Sequence, residues 1–283
     1  MRIRTVLCGG EAAACDDQGH GRAAPGPEWR GGAGIQAGIK GVTARGGCAM
    51  TAVTAITVQN TLGVTGIHEV PLDIVVGQMR AVMEDLGVDA VKTGMLHNAE
   101  IVEAVAEELS RTEELPVLVV DPVMIAKGGA SLLEASAVSA LKEVLIPLSA
   151  LVTPNIPEAE VLTGRKIVDG EGQKAAADAL LGLGADAVFV KGGHLSGDLI
   201  FDVLATQETI QVFSSPRIDT RHTHGTGCAL ASSIAALLAQ GIDLTAAVAA
   251  ARDYVHEAIR TAPGFGQGHG PLNFLAAVDD GEL

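Results

Sequence analysis

From residue 50 onward, short apolar runs alternate with stretches of helical spacing. Residues 52–58 are β-branched and apolar, which predicts a buried strand. Residues 71–86 place Leu72, Ile74, Val75, Met79, Val82 and Met83 at helical intervals. Further strands are read at 90–94, 117–122, 151–155 and 187–193. Helices are read at 99–109, 136–145, 157–162 and 172–183. Residues 199–204 and 209–213 read as an edge hairpin, and two helices follow at 228–239 and 244–261. Strands alternating with helices predict a mostly parallel sheet covered on both faces. Such sheets bind ligands beyond the carboxyl ends of their strands. Asp121, Asn155, Lys191 and several glycine turns fall at those ends.

The first forty residues break this rhythm. Residues 5–10 read as a strand, but residues 11–29 are rich in Gly, Ala, Pro and charge without periodicity. That stretch is expected to be a loop or disordered insert. The chain then passes Arg30 to Ala37, a glycine-rich entry to a helix. No linker or repeat follows, so residues 1–283 are expected to form a single domain with an atypical segment at about 9–30.

Composition narrows the function. Hydrophobic residues make up 48% of the 283 residues, enough for a large core, while aromatics at 2% leave its filling to Val, Leu, Ile and Ala. A net charge of −15 argues against nucleic-acid binding. It leaves room for an anionic substrate held by local N–H groups and lysines. Four cysteines, Cys8, Cys15, Cys48 and Cys228, show no zinc or disulfide spacing, which favours a reducing, cytoplasmic setting. No run is long enough to read as a membrane span or a signal peptide.

The densest chemical signal is Thr223-His224-Gly225-Thr226-Gly227-Cys228, which opens a helix of small residues. A glycine turn at a helix start exposes backbone N–H groups that bind phosphate. Read alone, the turn is equally a plain strand-to-helix connection. It lacks the Gly-Lys-Ser/Thr of a P-loop. Asp121 suits Mg²⁺, or caps a turn before Pro122. Asn155 and Glu158 stand one helical turn apart, able to hold hydrated Mg²⁺ beside a nucleotide, or to form an N-cap with an acidic first turn. Lys191 can neutralise transferring phosphate oxygens, or end a solvated strand. His194 has no evident role.

Seven motifs occur in order: Gly31-Gly-Ala-Gly-Ile-Gln36, Val58-Gln-Asn-Thr61, Lys92-Thr-Gly-Met95, Asp121-Pro-Val-Met124, Thr153-Pro-Asn-Ile-Pro-Glu158, Lys191-Gly-Gly-His194 and Thr223 to Cys228. Together they resemble the hydroxymethylpyrimidine/phosphomethylpyrimidine kinases of thiamine biosynthesis, within the ribokinase superfamily. The resemblance covers about residues 31–275, and several motifs are shared with pyridoxal kinases. It implies an α/β fold, a ribokinase-like three-layer α/β/α sandwich. It implies transfer of the ATP γ-phosphate to 4-amino-5-hydroxymethyl-2-methylpyrimidine and then to its monophosphate. Gln59 would bind the aminopyrimidine, Met95 and Val123 would line its faces, and Ala33 and Gly38 would belong to the same substrate end. Gly225, Thr226 and Gly227 would form the anion hole. Cys228 would stand where most ribokinase relatives place an Asp base. Its helix start lowers a thiol pKa, so a thiolate could take the hydroxyl proton, or Cys228 is a small pocket-lining residue and the proton leaves late. Asp121 and Glu158 would handle Mg²⁺. Lys191, Asn155 and Thr226 would meet ATP. A homodimer is expected.

The chain also departs from the family pattern. The family's Ser-Asp step before the glycines is missing, and Arg221-His222 replaces a Lys-Asn pair. Gly38 stands where the family has an Asp that contacts the pyrimidine, so that contact is expected to be lost. An insertion with retained activity, a frame artefact, and a drift in substrate or activity all fit the N-terminal stretch. The reading adopted is an intact fold with impaired or altered pyrimidine binding. The rivals are a pyridoxine/pyridoxal kinase and a catalytically weak pyrimidine-binding relative.

Overall fold

The structure is a computed structural model that describes residues 3–13, 32–125 and 132–276. Among the described residues nine strands share one sheet: β1 (Arg4–Ala13), β2 (Cys48–Asn60), β3 (Gly63–Glu69), β4 (Ala90–Thr93), β5 (Val117–Val120), β6 (Leu151–Val152), β7 (Ala187–Val190), β8 (Leu199–Thr206) and β9 (Ile210–Pro216). Their order is β3-β2-β1-β4-β5-β6-β7-β8-β9. The pairings from β2 to β7 are parallel, and the outer pairs β2–β3, β7–β8 and β8–β9 are antiparallel. The helices are α1 (Gly34–Thr43), α2 (Leu72–Asp85), α3 (Ala99–Ser110), α4 (Ala135–Ala140), α5 (Ile156–Thr163), α6 (Gly170–Leu181), α7 (Thr226–Ala239) and α8 (Leu244–Arg260). The expected mostly parallel, three-layer α/β/α arrangement is what the chain forms.

Side chains alternate across each central strand, and the two cores show it. Val91, Leu118, Val120, Val152, Val188 and Val190 pack with α2 to α6 on one face. Ala90, Val119, Leu151, Ala187 and Phe189 pack with α1, α7 and α8 on the other. Small residues dominate α7, where Ala229, Ala231, Ala235 and Ala236 are fully buried. They bring the helix close to the sheet, as the scarcity of aromatics requires.

Three sequence expectations need correction. β3 was not foreseen: it folds back antiparallel on β2 after a turn in which Asn60 Oδ1 accepts from the N–H groups of Leu62 and Gly63. Its pattern is mostly exposed, so it carries little hydrophobic signal. β1 does not end at Gly10. Glu11, Ala12 and Ala13 continue it, paired with Ile56, Thr57 and Val58 after an irregularity. Parallel pairing with the long β2 carries backbone that composition alone marked as loop. The rest of the atypical segment, 14–31, lies outside the described residues. The helix read at 136–145 is α4 followed by a π-helical turn at Leu141–Leu145.

Candidate active site

The alternation that builds the core also builds the site. Continuing it past the last apolar residue of each strand puts Lys92, Asp121, Thr153 and Lys191 on the α7 side of β4, β5, β6 and β7. These four strands are neighbours, so the four side chains meet. Lys191 Nζ donates to Asp121 Oδ1 at 3.0 Å, and Lys92 Nζ lies 3.3 Å from Oδ2. Thr153 Oγ1 donates to Oδ1 at 3.4 Å. Asp121 is 2% exposed and Lys92 is 5% exposed. Burial pushes the Asp121 carboxyl up, but the Lys191 and Lys92 ammoniums outweigh it and hold it below its ordinary value. Burial alone would lower the Lys191 ammonium, yet Asp121 and Glu158 raise it, so it stays charged. Lys92 lies in one of the motifs above but received no role from the sequence.

Two helix starts open above this cluster. α3, α5, α6 and α8 begin on Asn98, Asn155, Asp169 and Asp243, whose side chains accept from first-turn N–H groups. α1 and α7 begin on Ala33 and Gly225 without a side-chain cap, as α2 and α4 also do, but it is the starts of α1 and α7 that line the cleft. Uncapped N–H groups beside a cleft are an anion site. Gly225 has φ +86°, and a Cβ there would run into the Gly32 carbonyl oxygen. A Cβ on Gly227 would lie 3.3 Å from Lys191 Nζ, so the turn rests directly on the lysine. Thr226 Oγ1 donates to the Thr223 carbonyl at 3.2 Å, which fixes the turn from within.

Cys228 stands at this lip, but its thiol is not lowered as expected. Burial pushes it above its ordinary value, while Lys92, the Gly34 N–H and Lys191 pull the other way. The helix-start argument omitted the desolvation of a thiol that the cleft encloses.

Asn155 and Glu158 form a capping box. Asn155 Oδ1 accepts from the Glu158 N–H at 2.9 Å, and Glu158 Oε2 accepts from the Asn155 N–H at 2.8 Å. The structural alternative for this pair is therefore realised, and it occupies the Asn155 oxygen. The Glu158 carboxyl remains poised: burial first, then nearby Asp121, push it up to about 7 against the pull of Lys191. A divalent cation fits here. Asp121 Oδ2 is buried with the Lys92 ammonium 3.3 Å away and no other partner among the described residues, a second carboxylate stands close by, and oxygen donors suit Mg²⁺. Among the described residues no group of three His, Cys, Asp or Glu forms a closed metal cage. Two carboxylates plus substrate phosphates match the usual way Mg²⁺ is held.

The raised Glu158 pKa has a consequence for stability. The protonated form is favoured on folding, so this stabilisation is complete below the ordinary value of 4.5 and is lost as pH rises through about 7. Glu158→Gln is expected to match the parent near pH 4 and to exceed it by about 1–3 kcal/mol near pH 8. Urea denaturation at both pH values measures this.

The substrate end is less charged. Gln59, on β2, receives a hydrogen bond from Thr57 Oγ1 at its Oε1 (3.4 Å), and its Nε2 lies 3.4 Å from His224 Nε2. Met95 packs with Ala55, Leu132 and Val123 in a small apolar cluster. Arg221 donates to the Gln267 and Gly266 carbonyls at 3.2 and 3.4 Å, so it fastens a C-terminal strap rather than facing the cleft cluster. Gly38 borders the cleft, but a Cβ there would meet Leu7 Cδ1 at 2.8 Å and Ser232 Oγ at 3.0 Å. A side chain at 38 would thus start out toward the α1–α7 contact, where the Ser232 hydroxyl is buried without a partner.

Every candidate site residue from the sequence lines one cleft of about 900 Å³: Ala33, Gly38, Gln59, Met95, Asp121, Val123, Asn155, Glu158, Lys191, Gly225, Thr226, Gly227 and Cys228. Lys92, Gly34 and the α8 residues Arg252, Val255 and Ile259 line it too and were missed.

The phosphomethylpyrimidine kinase profile matches residues 29–273. The chain belongs to the phosphomethylpyrimidine kinase family. It is 47% identical over 247 residues to the hydroxymethylpyrimidine/phosphomethylpyrimidine kinase of Bacillus subtilis strain 168, covering 87% of this chain and 91% of that one. It is 53% identical over 251 residues to the thiamine biosynthesis bifunctional protein ThiED of Geobacter sulfurreducens. The match covers 88% of this chain but spans only about half, 51%, of that longer relative. Among solved structures, the ADP complex of Bacillus subtilis pyridoxal kinase superposes with TM-score 0.85 at 31% identity, covering 98% of both chains. A phosphomethylpyrimidine kinase from Clostridium difficile 630 gives TM-score 0.76 at 38% identity, covering 91% of this chain and 100% of that one. This chain of the phosphomethylpyrimidine kinase family is therefore a phosphotransferase with a ribokinase-like fold. Among the described residues no helix is long and apolar enough to cross a membrane.

Proposed function

We propose that this chain transfers the γ-phosphoryl group of ATP to 4-amino-5-hydroxymethyl-2-methylpyrimidine, and a second one to the resulting monophosphate. The observation that carries the reading is the Lys92–Asp121–Lys191 cluster beneath two uncapped helix starts, with Cys228 on the same lip. Phosphoryl transfer needs positioning and charge stabilisation more than covalent chemistry. The N–H groups of the Gly225–Cys228 turn face the equatorial oxygens as charge builds there. Lys191 neutralises the same oxygens. Asp121 and Glu158 would hold Mg²⁺, which would supply charge neutralisation to the nucleotide phosphates. Asn155 and Thr226 approach the nucleotide. Gln59 offers an amide donor and acceptor to the aminopyrimidine, while Met95 and Val123 cover its faces and Ala33 closes the same end.

The hydroxymethyl oxygen attacks the γ-phosphorus, ADP leaves, and the alcohol proton passes to the Cys228 thiolate. The protein is read as one kinase domain, cytoplasmic, without nucleic-acid or membrane partners, and homodimeric. Ile56, Val58 and Leu62 are exposed on β2 and in the turn that follows it, which supports contact with a second copy. The pyridoxal-kinase reading keeps one observation in its favour, the close superposition over nearly the whole chain. Product analysis tests the two-step reading. With excess ATP, each pyrimidine should consume two equivalents and end as the diphosphate. Arrest after one equivalent would contradict the second step.

A further inference from the structure

Lys92 is a buried ammonium in the centre of the sheet with no part in the steps above. It is held on both sides, in register with Leu7 of β1 and Val119 of β5. Its head lies under backbone: a Cβ on Gly94 would sit 3.0 Å from its Nζ. Lys191 is placed differently. Its head rests against Gly227, at the start of α7, and its side chain is 16% exposed against 6% for Lys92. The two lysines share one carboxylate, each on its own oxygen. One is locked into the sheet, and the other faces the anion cradle.

We propose that Lys92 is a positioning residue that holds the Asp121 carboxylate, so that Lys191 can leave Asp121 for the transferring phosphoryl group. A buried carboxylate that loses its only cation is strongly disfavoured. With Lys191 alone, Asp121 would keep that lysine. With Lys92 fixed on Oδ2, the departure of Lys191 leaves Asp121 compensated. Once Lys191 has left, the remaining Lys92–Asp121 pair is neutral, and the full charge of Lys191 is available to the phosphoryl oxygens. This role rests on the proposed contact between Lys191 and the γ-phosphate.

Calorimetry with ADP and with the non-hydrolysable ATP analogue AMP-PCP, in Mg²⁺-free buffer containing EDTA, tests it. The readout is the excess affinity for AMP-PCP over ADP, which reports the γ-phosphate contact. Lys92→Met should lower that excess about tenfold, the loss of one charge-assisted contact. Lys92→Arg should keep it, and Lys92→Met/Asp121→Asn should restore it, because Lys191 is then unbound. Equal weakening of both nucleotides in Lys92→Met would mean a structural role and would overturn the proposal. Lys191→Met separates the two levels. If it leaves the excess intact, or if the parent shows none, the phosphate contact of Lys191 is wrong and the Lys92 role falls with it. If Lys191→Met removes the excess and Lys92→Met does not, only the Lys92 role is wrong. Should Lys92→Met fail to fold, the double variant is compared with Asp121→Asn. Equal excess in the two supports action through Asp121, and a lower excess in the double variant contradicts it.

Discussion

Cys228→Ala is expected to lower kcat by about 10²–10⁴-fold, the usual worth of a positioned general base, while nucleotide affinity stays nearly constant. The pH profile carries the mechanistic weight. Burial holds the thiol above its ordinary value, so little thiolate exists near neutral pH. If thiolate accepts the alcohol proton, kcat in the parent rises with pH toward the thiol pKa, and Cys228→Ala abolishes that rise. Lys92, the Gly34 N–H and Lys191 oppose the desolvation, and Asp121 adds to it. A variant with unchanged turnover, or the same rising profile, would make Cys228 a small lining residue. Stopped-flow measurement of the first turnover separates this step from product release.

Asp121→Ala is expected to destabilise the protein by about 3–5 kcal/mol, the cost of leaving a buried partner charge uncompensated. Here two ammoniums are stranded, one of them 5% exposed. Turnover should fall below detection, because the same carboxylate is proposed to meet Mg²⁺. Urea denaturation gives the stability change. A loss under about 1 kcal/mol, the scale of an exposed pair, would mean that the two lysines do not depend on Asp121.

The parallel core of the fold was legible because it obeys simple periodicities. Residues 117–120 and 187–190 are continuous apolar runs bounded by turns, and each is a central strand. β3 was illegible because an exposed edge strand has no buried face to write into the sequence. Glu11–Ala13 was misread because pairing with a distant strand, rather than local composition, decides its conformation. At the site, glycine turns and strand-end polar residues were readable individually. Their convergence depends on β4 to β7 being neighbours, which is a property of topology. Lys92 was missed although a signal existed: it follows Ala90 by two, so it shares the face on which Asp121 ends its own strand. The thiol of Cys228 was misjudged because a helix start is visible in sequence and the enclosure of the cleft is not.

The central claim is that this cleft phosphorylates an aminopyrimidine alcohol. One competition measures it directly: equimolar 4-amino-5-hydroxymethyl-2-methylpyrimidine and pyridoxine in a single reaction with limiting ATP and Mg²⁺, and phosphorylated products quantified by mass spectrometry. Pyrimidine phosphates are expected to dominate, in keeping with an amide at Gln59 that a site for bases can use. Pyridoxine phosphate as the main product, with the pyrimidine left untouched, would contradict it.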